Sequence, residues 1–167
     1  GVDDDYVLEA DLTPNRIDAA SHYGVARDLN AWMGVHAVPT SLSRPSVEDF
    51  AAGKADDDRA ISVEVEAREA CTRYAGVTVR GVKVAESPEW LRKRLEAIGL
   101  RPINNIVDIT NYILHAFCQP LHCFDADRIG GGRIVVRTCP EGTAFTTLDG
   151  VERKLNAADL MICDSER

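Results

Sequence analysis

Apolar and polar positions along the first 35 residues predict a strand followed by a helix. The stretch YVLEADLTP alternates apolar with polar residues and ends at Pro14, a pattern typical of a short strand. Ser21 then precedes HYGVARDLNAWM, in the position of a helix N-cap. Gly34 follows the last predicted turn, so we expect the helix to end there.

Residues 36–60 predict a linker, after which the pattern becomes that of β-structure. The linker mixes proline, serine and acidic residues without a period, and one helical turn is expected near Val47–Ala52. The stretch ISVEVEA then alternates cleanly, and RYAGVTVRGVKV is rich in β-branched residues. Two strands are therefore predicted between residues 61 and 84.

The stretch SPEWLRKRLEAIGL predicts a helix from local signals alone. Ser87 is placed to cap it, Pro88 stands at the first helical position, and Gly99 is expected to stop it. Helical spacing gives this segment one apolar face, made of Trp90, Leu91, Leu95 and Ile98.

A further helix is expected from about Ile106 to Phe117, with Pro120 beyond its end. The spacing directs one set of side chains toward a core, namely Ile106, Ile109, Ile113 and Phe117. The opposite, polar face is predicted to carry Asp108, Asn111 and His115.

The remaining residues predict more strands. GRIVVRT follows a run of three glycines, AFTTLDGVERKL is expected to form a hairpin turned on Asp149-Gly150, and DLMICD is a last strand. Strands and helices are mixed without a regular strand–helix–strand repeat, so the predicted fold class is α+β.

Composition narrows the class of protein. The chain has 167 residues and is 45% hydrophobic, which is enough for one globular domain and a smaller piece. It contains no apolar run near the roughly 18 residues of a membrane span, so a cytoplasmic protein with no membrane contact is expected. The opening GVDDDYVLEADL carries no initiating Met, and we interpret the sequence as an excised fragment.

Charge and cysteine content exclude two further classes. The net charge of −8 argues against a generic nucleic-acid binder, although residues 71–104 hold seven basic and three acidic side chains. That basic stretch could contact phosphate or simply be a solvated surface. Five cysteines, an odd number at irregular spacing, predict free thiols and no disulfide framework.

The window NNIVDITNYILHAFCQPLHCFDAD concentrates the candidate chemistry, and three hypotheses compete for it. A zinc site would use His115, Cys118, His122 and Cys123, but their spacing matches no known ligand pattern, and no metal is predicted. A nucleophile with its base would need Cys118, His122 and Asp125 aligned on one helix running through Pro120, which the proline ring opposes.

The third hypothesis is the wall of a binding pocket. Thr110 and Asn111 stand near the middle of the predicted helix, where neither is favoured, and His122 follows a QPL turn. Polar side chains of several types that converge from a helix and the next turn suit a small polar ligand. From these residues alone, a pocket and a purely structural role remain equally open.

Two segments resemble bacterial phenylalanyl-tRNA synthetase β subunits. LTPNRIDAASHYGVARDLNA is similar to the part that follows the inserted tRNA-binding domain of that family, and Ser87–Ile129 resembles the start of its editing module. The motifs T-P-N-R-x-D, N-N-x-V-D-x-T-N-Y and Q-P-L-H-x-F-D carry the resemblance. It covers nearly the whole chain except the linker.

The resemblance implies an organisation and a function. Residues 1–35 would be a strand–helix segment of the preceding domain, 36–60 a linker, and 61–167 the first part of an incomplete tRNA-editing module. The complete enzyme would be an aminoacyl-tRNA synthetase, a cytoplasmic ligase of protein biosynthesis. In that family, α and β subunits form a heterotetramer, the α subunit attaches phenylalanine to tRNA, and the β editing module hydrolyses wrongly attached tyrosine.

The resemblance also implies roles for single residues. His122 would orient the attacking water or the substrate, while Thr110 and Asn111 would line the substrate pocket. The fragment itself would need no cofactor. ATP binding and magnesium would belong to other parts of the enzyme, as would the rest of the pocket, so the isolated piece would be inactive. Its partners would be the α subunit, phenylalanine tRNA and the remainder of the β chain.

Two alternatives stay open. The segment could be a non-catalytic scaffold that docks the α subunit or tRNA, or it could come from a free-standing aminoacyl-tRNA deacylase. The TPNRIDAASHYGVAR segment disfavours the second, because a free-standing module would not need the preceding domain.

Overall fold

A computed structural model of the chain describes residues 6–51 and 61–166. The chain forms two compact units, each assembled from two stretches of sequence. The first unit comprises Gly1–Asp49 and Val82–Cys123, and the second comprises Phe50–Gly81 and Phe124–Arg167. Among the described residues, the α-helices lie in the first unit and the strands lie in the second together with two short 3-10 turns, which confirms the predicted α+β class. The boundaries predicted at residues 35/36 and 60/61 stay predictions.

Helix α1, His22–Val35, begins as the sequence predicts. The Ser21 hydroxyl accepts a hydrogen bond from the Gly24 amide at 2.9 Å and so satisfies one of the free N–H groups of the first turn. The predicted end is wrong, because the helix continues through Gly34 to Val35. The left-handed residue that follows the helix is Ala37, with φ of 54°, so Gly34 is not needed as a stop.

An ion-pair network explains the T-P-N-R-x-D motif ahead of α1. Arg16 contacts Asp18 at 2.9 Å and also pairs with Asp28 of α1, while Arg27 of the same helix pairs with Asp18. The hydrogen bond from Arg16 holds the pKa of the Asp18 carboxyl below its ordinary value. The motif therefore ties the short 3-10 turn Ile17–Ala19 to the helix that follows it.

The strand predicted at the beginning of the chain does not form in residues 6–13, and residues 1–5 lie outside the described residues. Tyr6 and Leu8 are almost fully exposed. A strand needs a neighbouring strand to form its ladder, and none of the described strands lies beside this stretch, so the alternating pattern has no sheet to join.

Helix α2, Glu89–Ala97, and helix α3, Asn105–Phe117, complete the first unit. Leu91 and Leu95 of α2 are 1% exposed and form its core. Trp90 of α2 meets Tyr112 of α3 edge-on, with ring centroids 5.6 Å apart. A positive φ of 78° at Gly99 ends this helical region as predicted, because that backbone conformation is costly for a residue with a Cβ atom.

The second unit contains a mixed three-stranded sheet in the order β1-β2-β5. β1, Ser62–Val65, pairs parallel with β2, Arg133–Thr138, and β2 pairs antiparallel with β5, Leu160–Cys163. β2 is central, which explains why three consecutive residues, Ile134 to Val136, are all buried instead of alternating.

Between β2 and β5 in the sequence, the chain forms a two-stranded hairpin. It consists of β3, Ala144–Thr146, and β4, Glu152–Lys154. Gly150 has φ of 79°, and its amide donates to the Thr147 carbonyl at 2.8 Å, so the turn falls on Asp149-Gly150 as predicted. The predicted strands GRIVVRT and DLMICD are confirmed as β2 and β5.

Two expectations between residues 36 and 84 are not met. ISVEVEA forms β1, but the β-branched stretch RYAGVTVRGVKV forms no strand, and Val77 and Val79 in it are largely exposed. No strand in the described part of the chain forms a ladder with it, and a strand cannot form on propensity alone. Residues 36–51 contain a turn at 48–49 and no helix, while residues 52–60 lie outside the described residues.

Candidate functional site

Helix α3 carries two of the three predicted site residues, and its first turn is firmly capped. The Asn104 side-chain oxygen accepts hydrogen bonds from the amides of Ile106 and Val107, both at 3.0 Å. This arrangement satisfies two amides that an uncapped helix would leave free. The helix ends where Cys118 adopts a left-handed conformation, with φ of 57°.

Asn105 fastens the start of α3 to the extended segment that leads into α2. Its side-chain oxygen accepts from the Ala85 amide at 3.1 Å, and its side-chain nitrogen donates to the Lys83 carbonyl at 2.9 Å. The backbone amide of Asn105 also donates to the Ala85 carbonyl at 2.9 Å. Three hydrogen bonds from one residue thus hold this segment against the helix terminus.

Asp108 lies in the core of the first unit, and the prediction that it belongs to an exposed polar face is wrong. The side chain is 0% exposed, whereas Ile109, expected in the core, is 48% exposed. The Asp108 carboxylate accepts hydrogen bonds from the Ser87 hydroxyl at 2.5 Å and from the Ile103 amide at 2.9 Å. Burial is tolerated because both oxygens are hydrogen-bonded.

The same contact corrects the prediction about Ser87. Its hydroxyl donates to Asp108, so it does not cap α2, and the N-cap position is taken by Pro88 without a side-chain hydrogen bond. Sequence reasoning missed this buried pair because the partners are 21 residues apart. The one signal in the sequence was that Asp108, an acidic residue, lies next to the apolar positions of a helix with clear apolar periodicity.

Thr110 and Asn111 follow on the next turn of α3, and both are half-buried. The Thr110 hydroxyl donates to the Val107 carbonyl at 2.7 Å, a bond to the helix backbone that accommodates a threonine in mid-helix. With its proton engaged there, the Thr110 oxygen is left as a hydrogen-bond acceptor.

His122 lies outside the helix, in the irregular segment after Pro120, and its side chain is exposed. The structure thus places Thr110 and Asn111 side by side on α3 and His122 eleven residues further along the chain. Two cavities in the described part of the chain are lined by other residues. Convergence of Thr110, Asn111 and His122 on one ligand stays a prediction.

A polar cleft of about 280 Å³ lies in the first unit, beside the buried pair. Ser87 and Asp108 line it together with Arg92 and Arg101. Arg92 pairs with Glu86, but its Nε atom is buried without a hydrogen-bond partner among the described residues. The cleft is therefore rich in charged side chains.

A larger cavity of about 660 Å³ belongs to the second unit, where β2, β5 and the hairpin line it. Its wall is mainly apolar, and Arg137, Cys139 and Cys163 are among the polar side chains in it. Burial raises the pKa of the Cys139 thiol, and contact with the Cys163 sulfur raises the pKa of Arg137. The sequence pattern did not predict this cavity, because its lining residues are spread along the chain from Phe124 to Asp164 and only folding brings them together.

The geometry of the described residues supports neither the zinc hypothesis nor the nucleophile hypothesis for residues 104–127. Cys118 and Cys123 are exposed free thiols, and none of the five cysteines forms a disulfide bond. Among the described residues, no group of three or more His, Cys, Asp or Glu side chains is arranged to hold a metal ion. The helix ends at Phe117, so Cys118, His122 and Asp125 are not aligned on one continuous helix, which is the arrangement that the nucleophile hypothesis needed.

Comparison with known proteins places the chain in a family. A profile of the B3/4 domain matches residues 70–167, more than half of the sequence, and the chain belongs to that domain family. It is 66% identical over 165 residues to the phenylalanine–tRNA ligase beta subunit of Bacteroides fragilis, a match that covers 99% of this chain and 20% of the relative.

Two further relatives carry the same name. The chain is 59% identical over 167 residues to the beta subunit of Porphyromonas gingivalis and 49% identical over 162 residues to that of Salinibacter ruber. These matches cover 98% and 97% of this chain and 20% and 19% of the relatives. The resemblance predicted from the three motifs is confirmed, and the chain spans about a fifth of the length of these curated relatives. No helix in the described residues is long and apolar enough to cross a membrane.

Proposed function

We propose that this chain forms part of the editing site of a phenylalanine–tRNA ligase, which hydrolyses tyrosine wrongly attached to phenylalanine tRNA. The observation that carries the proposal is the similarity of 99% of the chain to phenylalanine–tRNA ligase beta subunits, with Thr110, Asn111 and His122 inside the B3/4 match. The complete enzyme would be a cytoplasmic α–β heterotetramer in which ATP and magnesium serve aminoacylation elsewhere.

The need for such a site follows from the chemistry of recognition. A pocket shaped for phenylalanine cannot strongly reject tyrosine, which only adds a hydroxyl group. A second site that hydrogen-bonds the phenol hydroxyl can select tyrosine, because phenylalanine would leave its buried polar groups without a partner. Hydrolysis at that second site removes the wrong product.

The reaction is ester hydrolysis by water. The water oxygen bonds to the carbonyl carbon of the tyrosyl ester, the bond from that carbon to the ribose oxygen breaks, and the ribose oxygen receives a proton. His122 orients the water or the ester, and Asn111 holds polar atoms of the substrate. The Thr110 oxygen, with its proton engaged by Val107, accepts a hydrogen bond from a donor such as the substrate ammonium group.

The test is His122→Ala in the complete synthetase. Hydrolysis of tyrosyl-tRNA should fall roughly ten- to a thousand-fold, the range of a lost catalytic hydrogen bond or proton-transfer group. Charging with phenylalanine should be nearly unchanged, because it occurs in a different subunit. Loss of His122 should leave little cavity because the side chain is exposed. The matched control is His115→Ala, which removes a histidine side chain from the last turn of α3 and should keep hydrolysis near the wild-type rate.

A scaffold is the second candidate, and one observation favours it. Helix α1 presents an exposed apolar stripe of Val25, Leu29 and Trp32, at the spacing of one helix face. A segment whose main task is to dock another part of the enzyme would carry such a stripe. The scaffold role gains if His122→Ala lowers phenylalanine charging and editing in parallel, or impairs assembly with the α subunit.

A further inference from the structure

The contact between Ser87 and Asp108 joins two buried polar side chains that are 21 residues apart in the sequence. Asp108 has no exposed surface, and Ser87 is 4% exposed. A hydroxyl and a carboxylate at 2.5 Å form a short charge-assisted hydrogen bond, which is both stronger and more directional than a neutral one. The second carboxylate oxygen is fixed by the Ile103 amide at 2.9 Å.

The two hydrogen bonds to the Asp108 carboxylate restrain the rotation of α3 about its axis and its position along that axis. Ser87 precedes α2 and Ile103 precedes α3, so the carboxylate is held from two separate backbone segments. Asp108 itself sits in the first turns of the helix, two and three residues before Thr110 and Asn111. Because a helix is rigid over so short a distance, the orientation of Asp108 sets the orientation of both residues.

We infer that Ser87 and Asp108 are positioning residues of the editing site, which fix the rotation of α3 and thereby aim Thr110 and Asn111 at the substrate. The inference rests on the proposed function. Neither residue is expected to touch the substrate, since Ser87 is 4% and Asp108 0% exposed. Their effect passes through Thr110 and Asn111.

A positioning role predicts a specific kinetic change. Displacement of reacting groups by about 1 Å can cost roughly a hundred-fold in rate. Ser87→Ala removes the hydroxyl with little change in volume and should lower kcat for tyrosyl-tRNA hydrolysis about ten- to a hundred-fold. KM should stay within about twofold, because most of the tRNA surface is bound elsewhere, and phenylalanine charging should be unchanged.

The experiment measures both activities of the complete synthetase in four variants. Asp108→Ala should behave like Ser87→Ala or worse. Asp108→Asn should retain most of the activity, because its oxygen can accept from Ile103 and its amide can donate to the Ser87 oxygen. Thr143→Val removes a hydroxyl that donates at 2.7 Å to the Pro140 carbonyl in the second unit, and this matched control should have no effect on hydrolysis.

A double-mutant cycle separates positioning from general stability. Because part of the effect of Ser87 passes through Asn111, Ser87→Ala should cost less once Asn111→Ala is present, so that the two losses are less than additive. Additive losses, or equal loss of editing and phenylalanine charging in Ser87→Ala, would overturn the positioning role. Unchanged hydrolysis in Asn111→Ala and His122→Ala would remove the proposed editing site itself, whereas large losses there with full activity in Ser87→Ala would overturn only this inference.

Discussion

Alanine is the best helix-forming residue, yet Gly24→Ala should destabilise the start of α1. A Cβ atom built on Gly24 would lie 2.6 Å from the Asp18 carbonyl oxygen and 2.7 Å from the Ala19 Cα atom. Ordinary van der Waals contact begins at about 3.4 Å, and both neighbours are backbone atoms that cannot rotate away. Only glycine allows α1 to approach the 3-10 turn Ile17–Ala19 this closely.

The size of the effect follows from two opposing terms. Forcing an extra carbon into a packed contact costs about 1–3 kcal/mol, while replacing glycine by alanine inside a helix gains up to about 1 kcal/mol. The net loss in the free energy of local opening should be about 1–2 kcal/mol. Gly34 supplies the matched control in the same helix, since its Cβ would meet no atom within 4 Å. Gly34→Ala should therefore stabilise α1 by about 0.5–1 kcal/mol.

Native-state amide hydrogen exchange in the complete enzyme measures this opening without requiring the whole protein to unfold in one step. Amides of α1 should exchange roughly 5- to 30-fold faster in Gly24→Ala and more slowly in Gly34→Ala. Equal stabilisation by the two substitutions would show that the close approach at Gly24 does not exist in the protein, and the packing of the T-P-N-R-x-D motif against α1 would have to be abandoned.

Two predictions concern charge and metal. Because the folded-state pKa of Asp18 is depressed below its ordinary 3.8, chiefly by its hydrogen bond with Arg16, its contribution to the stability of α1 is present above about pH 3.8 and is lost as the pH falls further. Amide exchange in α1 should accelerate over that acidic range, and Asp18→Asn should abolish this part of the pH dependence; an identical profile in the variant would contradict the ion-pair assignment. We also expect elemental analysis of the untagged protein to find no bound zinc, since His115, Cys118, His122 and Cys123 lack the spacing of known sites, and a stoichiometric amount would overturn this expectation.

The sequence alone was sufficient to predict a helix end or a turn wherever residues within that element determine it. Ser21 caps α1, Gly99 ends the α2 region and Asp149-Gly150 turns the hairpin, and each of these features follows from a side chain or φ value within a few residues. The α+β class and the start of α3 were likewise predictable, because capping and apolar spacing act over one or two turns. The candidate residues Thr110, Asn111 and His122 came from motif resemblance, and their convergence on a ligand stays a prediction.

Tertiary structure decided what depends on a distant partner. RYAGVTVRGVKV has strand propensity, but no described strand forms a ladder with it, so propensity alone produced no strand. Helical periodicity put Asp108 on a polar face, yet the Ser87 hydroxyl and the Ile103 amide supply the hydrogen bonds that make its burial tolerable. A sequence pattern records the polarity of a residue, but whether a polar group can be buried depends on donors and acceptors that only the folded chain brings to it.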